Sequence, residues 1–240
     1  MKKVNKKVFI LGFIALFTGF TLLPVSGSGP ASIDEQFLLA LTSFKDMVAR
    51  LQEVRDYRCV LIKQEWLKNR MDREEMVMLF RKPMDIKLTW ISPNKGQQAL
   101  YRQGKNNDRL RARRAGLLSL FTFEMGIYDK RAMEHSRYPI THAGIGTILD
   151  KTMEDINRGK CTLRVLGEVR LENHTCIHLE FRSLGPRDYH QSCRSEFWME
   201  KQSRLLLQLK MTDYEQRLIG SYTFSQLEVD VGLSDKDFEL

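Results

Sequence analysis

Residues 75–102, EMVMLFRKPMDIKLTWISPNKGQQALYR, decide how the chain folds. Met76, Met78 and Phe80 recur with a period of two. So do Ile86, Leu88 and Trp90, set against Asp85, Lys87 and Thr89, and then Ala99 and Tyr101. Lys82-Pro83 and Ser92-Pro93-Asn94-Lys95-Gly96 break the runs. Proline fixes φ and glycine permits positive φ, so these are turns between strands. Strict alternation marks a sheet with one face on apolar material and the other toward water.

Working upstream, Tyr57–Leu67 shows the same period, with a turn at Asn69. Downstream, Asp108–Arg113 adds a fifth strand after a turn over 104–107. Together with Glu75–Arg81, Asp85–Ile91 and Gln97–Arg102 these make an antiparallel meander. Residues 115–128, AGLLSLFTFEMGIY, read as a sixth strand or as a loop over the sheet. After Gly159 the alternation resumes through Leu163–Val169, Ile177–Phe181, Phe197–Met199, Leu205–Met211 and Tyr222–Phe224, and a helical turn closes the chain near Phe238.

Two segments change the period. Phe37, Leu41, Phe44, Val48 and Leu51 fall three or four apart, a helix from a Ser32–Glu35 capping box to about Val54. A second helix carries Ile145, Ile148, Leu149, Thr152, Met153 and Ile156, with Thr141 as candidate N-cap and Gly159 just past its end. About ten strands and two helices give an α+β chain. So many meandering strands curl into a half-barrel. The apolar stripes of two helices belong on its concave face, and two helices cannot fill all of it, which predicts an apolar cavity.

Residues 1–27 stand apart. Lys2, Lys3, Lys6 and Lys7 precede an apolar run from Val8 to Leu23. That is a secretory signal peptide or an uncleaved membrane anchor, and either places the rest outside the cytoplasm, in the periplasm or tethered to the inner membrane. Residues 28–31 are a linker and 32–240 one domain. Without those four lysines the formal charge of +8 falls to +4, which is no nucleic-acid signature. Export permits disulfides among Cys59, Cys161, Cys176 and Cys193, but hairpin arithmetic pairs none of them. A turn at Glu172-Asn173 sets Cys176 opposite Val169, and a loop over 184–190 sets Cys193 opposite Phe181.

Catalytic templates are missing from the sequence. There is no G-x-S-x-G, no phosphate loop and no Cys–His spacing of a known kind. His174 and His178 would lie roughly 13 Å apart along a strand, too far to share a metal. The expectation is a non-enzymatic protein without metal or cofactor. Candidate ligand-binding residues are Trp90 and Tyr101 on the concave face and Leu118, Leu120, Phe121 and Phe123 in the apolar run beside it. Arg109, Arg111 and Arg113 alternate on one strand face. They form a basic rim for anionic headgroups or an acidic partner, or simply a solvated face that deters edge pairing.

Four stretches carry a resemblance: the opening helix, FRKPMDIKLTWISPNKGQQALY (80–101), RYPITHAGIGTIL (137–149) and YTFSQLEVDVGLSDKDF (222–238). From about Phe37 to Phe238 the chain resembles an uncharacterised family of exported bacterial proteins. That family is similar to the outer-membrane lipoprotein carrier superfamily (LolA/LolB-like), with relatives among envelope-stress regulators. The resemblance implies a curved antiparallel sheet under helices, with an interior for lipid acyl chains or an acylated polypeptide. The expected partners are a hydrophobic ligand or lipoprotein, with a membrane surface or an envelope protein as further partners. An interaction or stress-sensing scaffold without a lipid ligand is the alternative.

Overall fold

The computed structural model describes residues 33–116, 120–185 and 192–240. The signal or anchor segment, the linker and the Ser32 cap lie outside them. So does Leu118.

Helix α1 (Ile33–Glu53) leads into strands β1 (Asp56–Leu67), β2 (Arg70–Arg81), β3 (Asp85–Ser92), β4 (Gln98–Arg102), β5 (Leu110–Arg113) and β6 (Thr122–Met125). Helix α2 (Ile145–Asn157) follows, then β7 (Cys161–Leu171), β8 (His174–Ser183), β9 (Arg194–Glu200), β10 (Leu206–Thr212) and β11 (Leu218–Val229). The strands form one unclosed antiparallel sheet in the order β6-β5-β4-β3-β2-β1-β11-β10-β9-β8-β7. The eleventh strand is the short β6, drawn from the run that reads equally as strand or loop. No helix among the described residues is long and apolar enough to cross a membrane.

Register follows turn length. Lys68 and Asn69, at φ 48° and 63°, close a two-residue hairpin that sets Leu67 opposite Arg70. Likewise Cys176 lies opposite Val169, as the Glu172-Asn173 turn requires. Across the longer 184–192 connection the arithmetic misses. Phe181 faces Ser195, and the Ser183 N–H donates to the Cys193 carbonyl at 3.0 Å. A short turn dictates its pairing, whereas a long one leaves it to packing. Cys59, Cys161, Cys176 and Cys193 are all free thiols.

The fully buried row of α1 is Ala40, Phe44 and Met47, with Leu51 at 8% exposure. Phe37, Leu41 and Val48 flank it. The stripe is therefore centred one position away from the expected one. This helix packs on β7, and the Phe44 ring meets Phe197 of β9 edge-on at 5.4 Å.

Helix α2 departs from its expected start. A 3-10 turn at Ile140–His142 precedes it and Gly144 is its N-cap, so Thr141 does not cap it. Its first N–H groups need an acceptor. The Ile145 N–H finds one in the Tyr57 hydroxyl of β1, at 3.1 Å. Tyr57 stacks on Phe80, and a Cβ at Gly144 would stand 3.1 Å from the Phe80 ring. Gly146 likewise lies against Leu51. Gly144-Ile145-Gly146 is thus close packing onto the sheet and α1. At the other end Gly159, φ 63°, supplies the left-handed turn.

The tail after β11 crosses the opposite, convex face. The buried Asp56 carboxylate accepts the Gly232 and Leu233 N–H groups at 3.1 and 3.3 Å. Phe238 is 2% exposed, and the Arg81 and Arg102 guanidinium groups lie 4.8 and 5.9 Å from its ring centre.

Candidate functional site

The concave face is not filled. A cavity of about 1070 Å³ lies between the sheet and α2. Its sheet wall is the alternating inner face of the first strands, Leu61, Met76, Leu88, Ala99 and Ala112. Phe181, Phe197, Leu209 and Met211 close the far side. Ile148 and Thr152 of α2, with residues of the 131–140 connection, form the cover.

One end of this wall is polar. Lys63 and Glu65 continue the inner face of β1 after Tyr57, Cys59 and Leu61, and Glu74 begins that of β2 before Met76. Their side chains are 11%, 1% and 8% exposed. Lys63 Nζ is 2.7 Å from Glu74 Oε2 and 3.7 Å from Glu65 Oε2, and it donates to the His135 carbonyl at 2.8 Å. Glu65 accepts the Tyr222 hydroxyl at 2.5 Å and the Arg137 N–H at 2.8 Å. Glu74 accepts Trp90 Nε1–H at 2.7 Å. Each buried charge therefore has a counter-charge and directed hydrogen bonds, the condition under which burial is tolerated. Two of these bonds tie the 131–140 connection down over the cavity. Burial, reinforced by Glu65, holds the Tyr222 pKa well above that of a free phenol.

On the cover, His142 lies 5.9 Å from the Tyr138 ring. Burial, with Lys151 nearby, lowers its pKa. Burial pushes the Cys59 thiol up to about 12 and the Cys161 thiol, with Asp155, to about 11. Neither is poised as a nucleophile near neutrality. Among the described residues no cluster of three His, Cys, Asp or Glu is placed to hold a metal ion.

The structure divides the sequence candidates. Trp90 and Phe123 line the cavity. Tyr101 is buried on the same inner face, but its hydroxyl turns to Asp108 Oδ1 at 3.3 Å, away from the lining. Leu120 and Phe121 stand outside, 87% and 58% exposed. Arg109 precedes β5 and donates to the Glu124 carbonyl at 3.4 Å; Arg111 is 4.0 Å from the Glu124 carboxylate. Arg113 alone of the three touches the cavity, at the very end of β5, with its side chain on the face opposite the wall residue Ala112. The polar end was not anticipated, although a signal existed: charged residues on the inner register of otherwise buried strands.

Residues 54–240 match the model of a family described as protein of unknown function (DUF1571). No curated protein matches the sequence. Among solved structures the chain is similar to MucB, with 13% identity and a TM-score of 0.52 over 88% of this chain and 64% of that one. It is also similar to the Mycobacterium tuberculosis lipoprotein LppX, with 8% identity and a TM-score of 0.51 over 82% and 98%. A putative outer membrane lipoprotein-sorting protein domain from Vibrio parahaemolyticus matches at 11% identity and a TM-score of 0.43, over 83% and 97%. At such identities the likeness to MucB and LppX is one of fold, a curved sheet under helices.

Proposed function

The chain belongs to the DUF1571 family, and we propose that it is an exported, non-catalytic binding module. It holds an apolar ligand, a lipid acyl chain or an acylated polypeptide, between curved sheet and helical cover. One observation carries the reading: a hollow of about 1070 Å³ walled by Leu61, Met76, Leu88 and Phe197. Burying a chain there gains about 0.8 kcal/mol per methylene. Export rests on the basic and apolar pattern of residues 2–23, and the likeness to a lipoprotein, LppX, is in keeping with an envelope location.

The test is mass spectrometry of protein purified from its own host, before and after lipid extraction, with fatty acid displacing a bound hydrophobic dye. Co-purified acyl chains and competitive displacement are expected. Protein that carries no lipid and a dye that no fatty acid displaces would reject the reading.

A second reading, a scaffold for an envelope protein partner, is favoured by the free edge at β6. Leu120 and Phe121 are exposed there and Phe123 is 39% exposed. Recovery of one stoichiometric protein partner without lipid would favour it over the first.

A further inference from the structure

The convex face of β7 to β10 carries a charge arrangement that the cavity does not use. Leu163, Phe181, Phe197 and Leu209 of these strands are buried in the core, so their alternating neighbours face the other way. Register then sets two rows side by side. Thr162, Arg182, Arg194 and Thr212 form one, and Arg164, Glu180, Glu196 and Lys210 form the other. Arg182 therefore stands opposite Arg194, and Glu180 opposite Glu196. Like charges so placed cost stability, and contacts between the rows offset that cost.

Three guanidinium groups converge on one carboxylate. Arg164 Nε and Arg182 Nε each donate to Glu180 Oε1 at 2.7 Å, Arg182 Nη2 donates to Oε2 at 3.2 Å, and Arg194 Nη1 lies 3.9 Å from Oε2. The Glu180 side chain is 2% exposed, whereas those of Arg164, Arg182 and Arg194 are 55%, 51% and 30% exposed. A buried carboxylate thus fixes arginines that reach solvent. Burial alone would raise the Glu180 pKa, but Arg182 and Arg164 hold it below the ordinary carboxylate value, so the anchor stays ionised. Glu196 lies 3.3 Å from both Arg194 Nη2 and His178 Nε2. Lys210 Nζ is 4.9 Å from the centre of the Trp198 ring, on which His178 stacks. Four cations against two carboxylates leave the two rows formally at +2. Among the described residues neither terminal nitrogen of Arg164 has an acceptor. Arg194 Nε is buried without one, and such an atom normally finds a partner.

We propose that Arg164, Arg182 and Arg194 form a contact site for the phosphate groups of an anionic lipid bilayer, on the face opposite the cavity. Guanidinium forks match phosphate oxygens two by two, and an anionic surface attracts basic residues within a screening length. Exposed leucines flank the cluster in the chain. Leu166, two residues past Arg164, is 39% exposed, and Leu184, two past Arg182, is 64% exposed. Cations beside apolar side chains suit the boundary between head groups and acyl chains. That combination favours a bilayer over an acidic protein. The site does not depend on what the cavity holds.

The experiment is co-sedimentation with vesicles of phosphatidylcholine alone, or with about one-third phosphatidylglycerol to supply the negative surface. Binding to the anionic vesicles and not to the neutral ones is expected. Each arginine near such a surface contributes about fivefold, so Arg164→Gln/Arg194→Gln should bind about thirtyfold more weakly and Arg164→Gln alone about fivefold more weakly. Arg109→Gln/Arg111→Gln, on the other half of the sheet, should bind as the wild type does. Ala99→Phe, which fills the cavity, should also leave vesicle binding unchanged, which separates surface contact from uptake of lipid. Equal binding to both kinds of vesicle, or an unchanged Arg164→Gln/Arg194→Gln variant, would overturn the proposal. Equal losses at Arg109 and Arg111 would do so too, since net charge and not this cluster would then be responsible. Lost binding in Ala99→Phe would move the contact to the cavity and overturn it as well. Binding to polyglutamate but not to vesicles would replace the bilayer with an acidic protein. Release from the vesicles by millimolar inorganic phosphate at constant ionic strength would replace it with a free anion. If the double variant does not fold, Arg164→Gln, which leaves Glu180 its bonds from Arg182, decides the matter in the same measurement.

Discussion

The two sides of the hollow are built from the same kinds of residue and end differently. On the side of β7 to β9, α1 lays Phe44 and Met47 into the sheet, both 0% exposed, and the space is filled. On the side of β1 to β6, α2 spans the gap, buries Ile145, Leu149 and Ile156, and leaves a cavity beneath Ile148. Both helices are amphipathic. The difference is reach. At about 1.5 Å per residue, the 21 residues of α1 extend well beyond the 13 of α2. An apolar stripe says that a helix will cover a sheet, but its length and point of attachment decide whether it plugs the sheet or roofs it.

That contrast is open to direct attack. The largest effect is expected from Phe44→Ala, which removes a ring from the filled side. Chemical denaturation should show a loss of about 3–5 kcal/mol; a loss below about 1 kcal/mol would mean that the α1 side is as loosely packed as the other. Next is Lys63→Met, which leaves Glu65 and Glu74 facing each other without their cation. A cost of about 3 kcal/mol is expected. Adding Glu74→Leu should restore part of it, and a double-mutant cycle with no coupling would show that the network does not act as a unit.

A matched pair of additions sharpens the comparison further. Ala40→Phe forces a ring into the filled side and should destabilise by about 2 kcal/mol. Ala99→Phe points the same ring into the cavity, where there is room. It should cost under about 1 kcal/mol and yet abolish dye binding. Equal costs at the two positions would erase the distinction.

The smallest effect is one of pH. His142 belongs to the cover of the open side, and α1 has no histidine. Burial lowers the folded pKa of His142 below its ordinary value near 6.5. A depressed histidine binds fewer protons folded than unfolded, so its contribution is present above about pH 6.5 and fades as acid carries the solution down through the lowered value. Thermal melts between about pH 8 and about pH 5 should therefore fall more steeply in the wild type than in His142→Gln. Parallel curves would remove His142 from the account.

Much of this was legible before any coordinates. Met76, Met78, Phe80, Ile86 and Leu88 alternate in the sequence, and all are buried on the inner face. Trp90 was found by the same rule, since a period of two is a local property. The 115–128 stretch was harder. Its apolar residues suggested a wall, yet Leu120 and Phe121 face water, because both precede the four-residue edge strand β6 and lie outside the sheet. Hydrophobicity alone cannot tell a wall from an exposed rim. The three alternating arginines gave an equally partial answer. Their spacing put them on one face, and within β5 Arg111 and Arg113 do share one, but it is the face opposite Ala112 and the cavity wall.

The sequence by itself determined an antiparallel sheet, its two faces, two covering helices and the hollow they imply, because alternation and helical periodicity are written residue by residue. Tertiary structure alone decided which side of the hollow stays open and that the Tyr57 hydroxyl accepts the first N–H of α2. It also decided that Lys63, Glu65 and Glu74 close on one another. Those outcomes depend on contacts between residues far apart in the chain, such as Glu65 with Tyr222 and Tyr57 with Ile145. Such contacts are set by the curvature and register of the whole sheet, and no local pattern carries either.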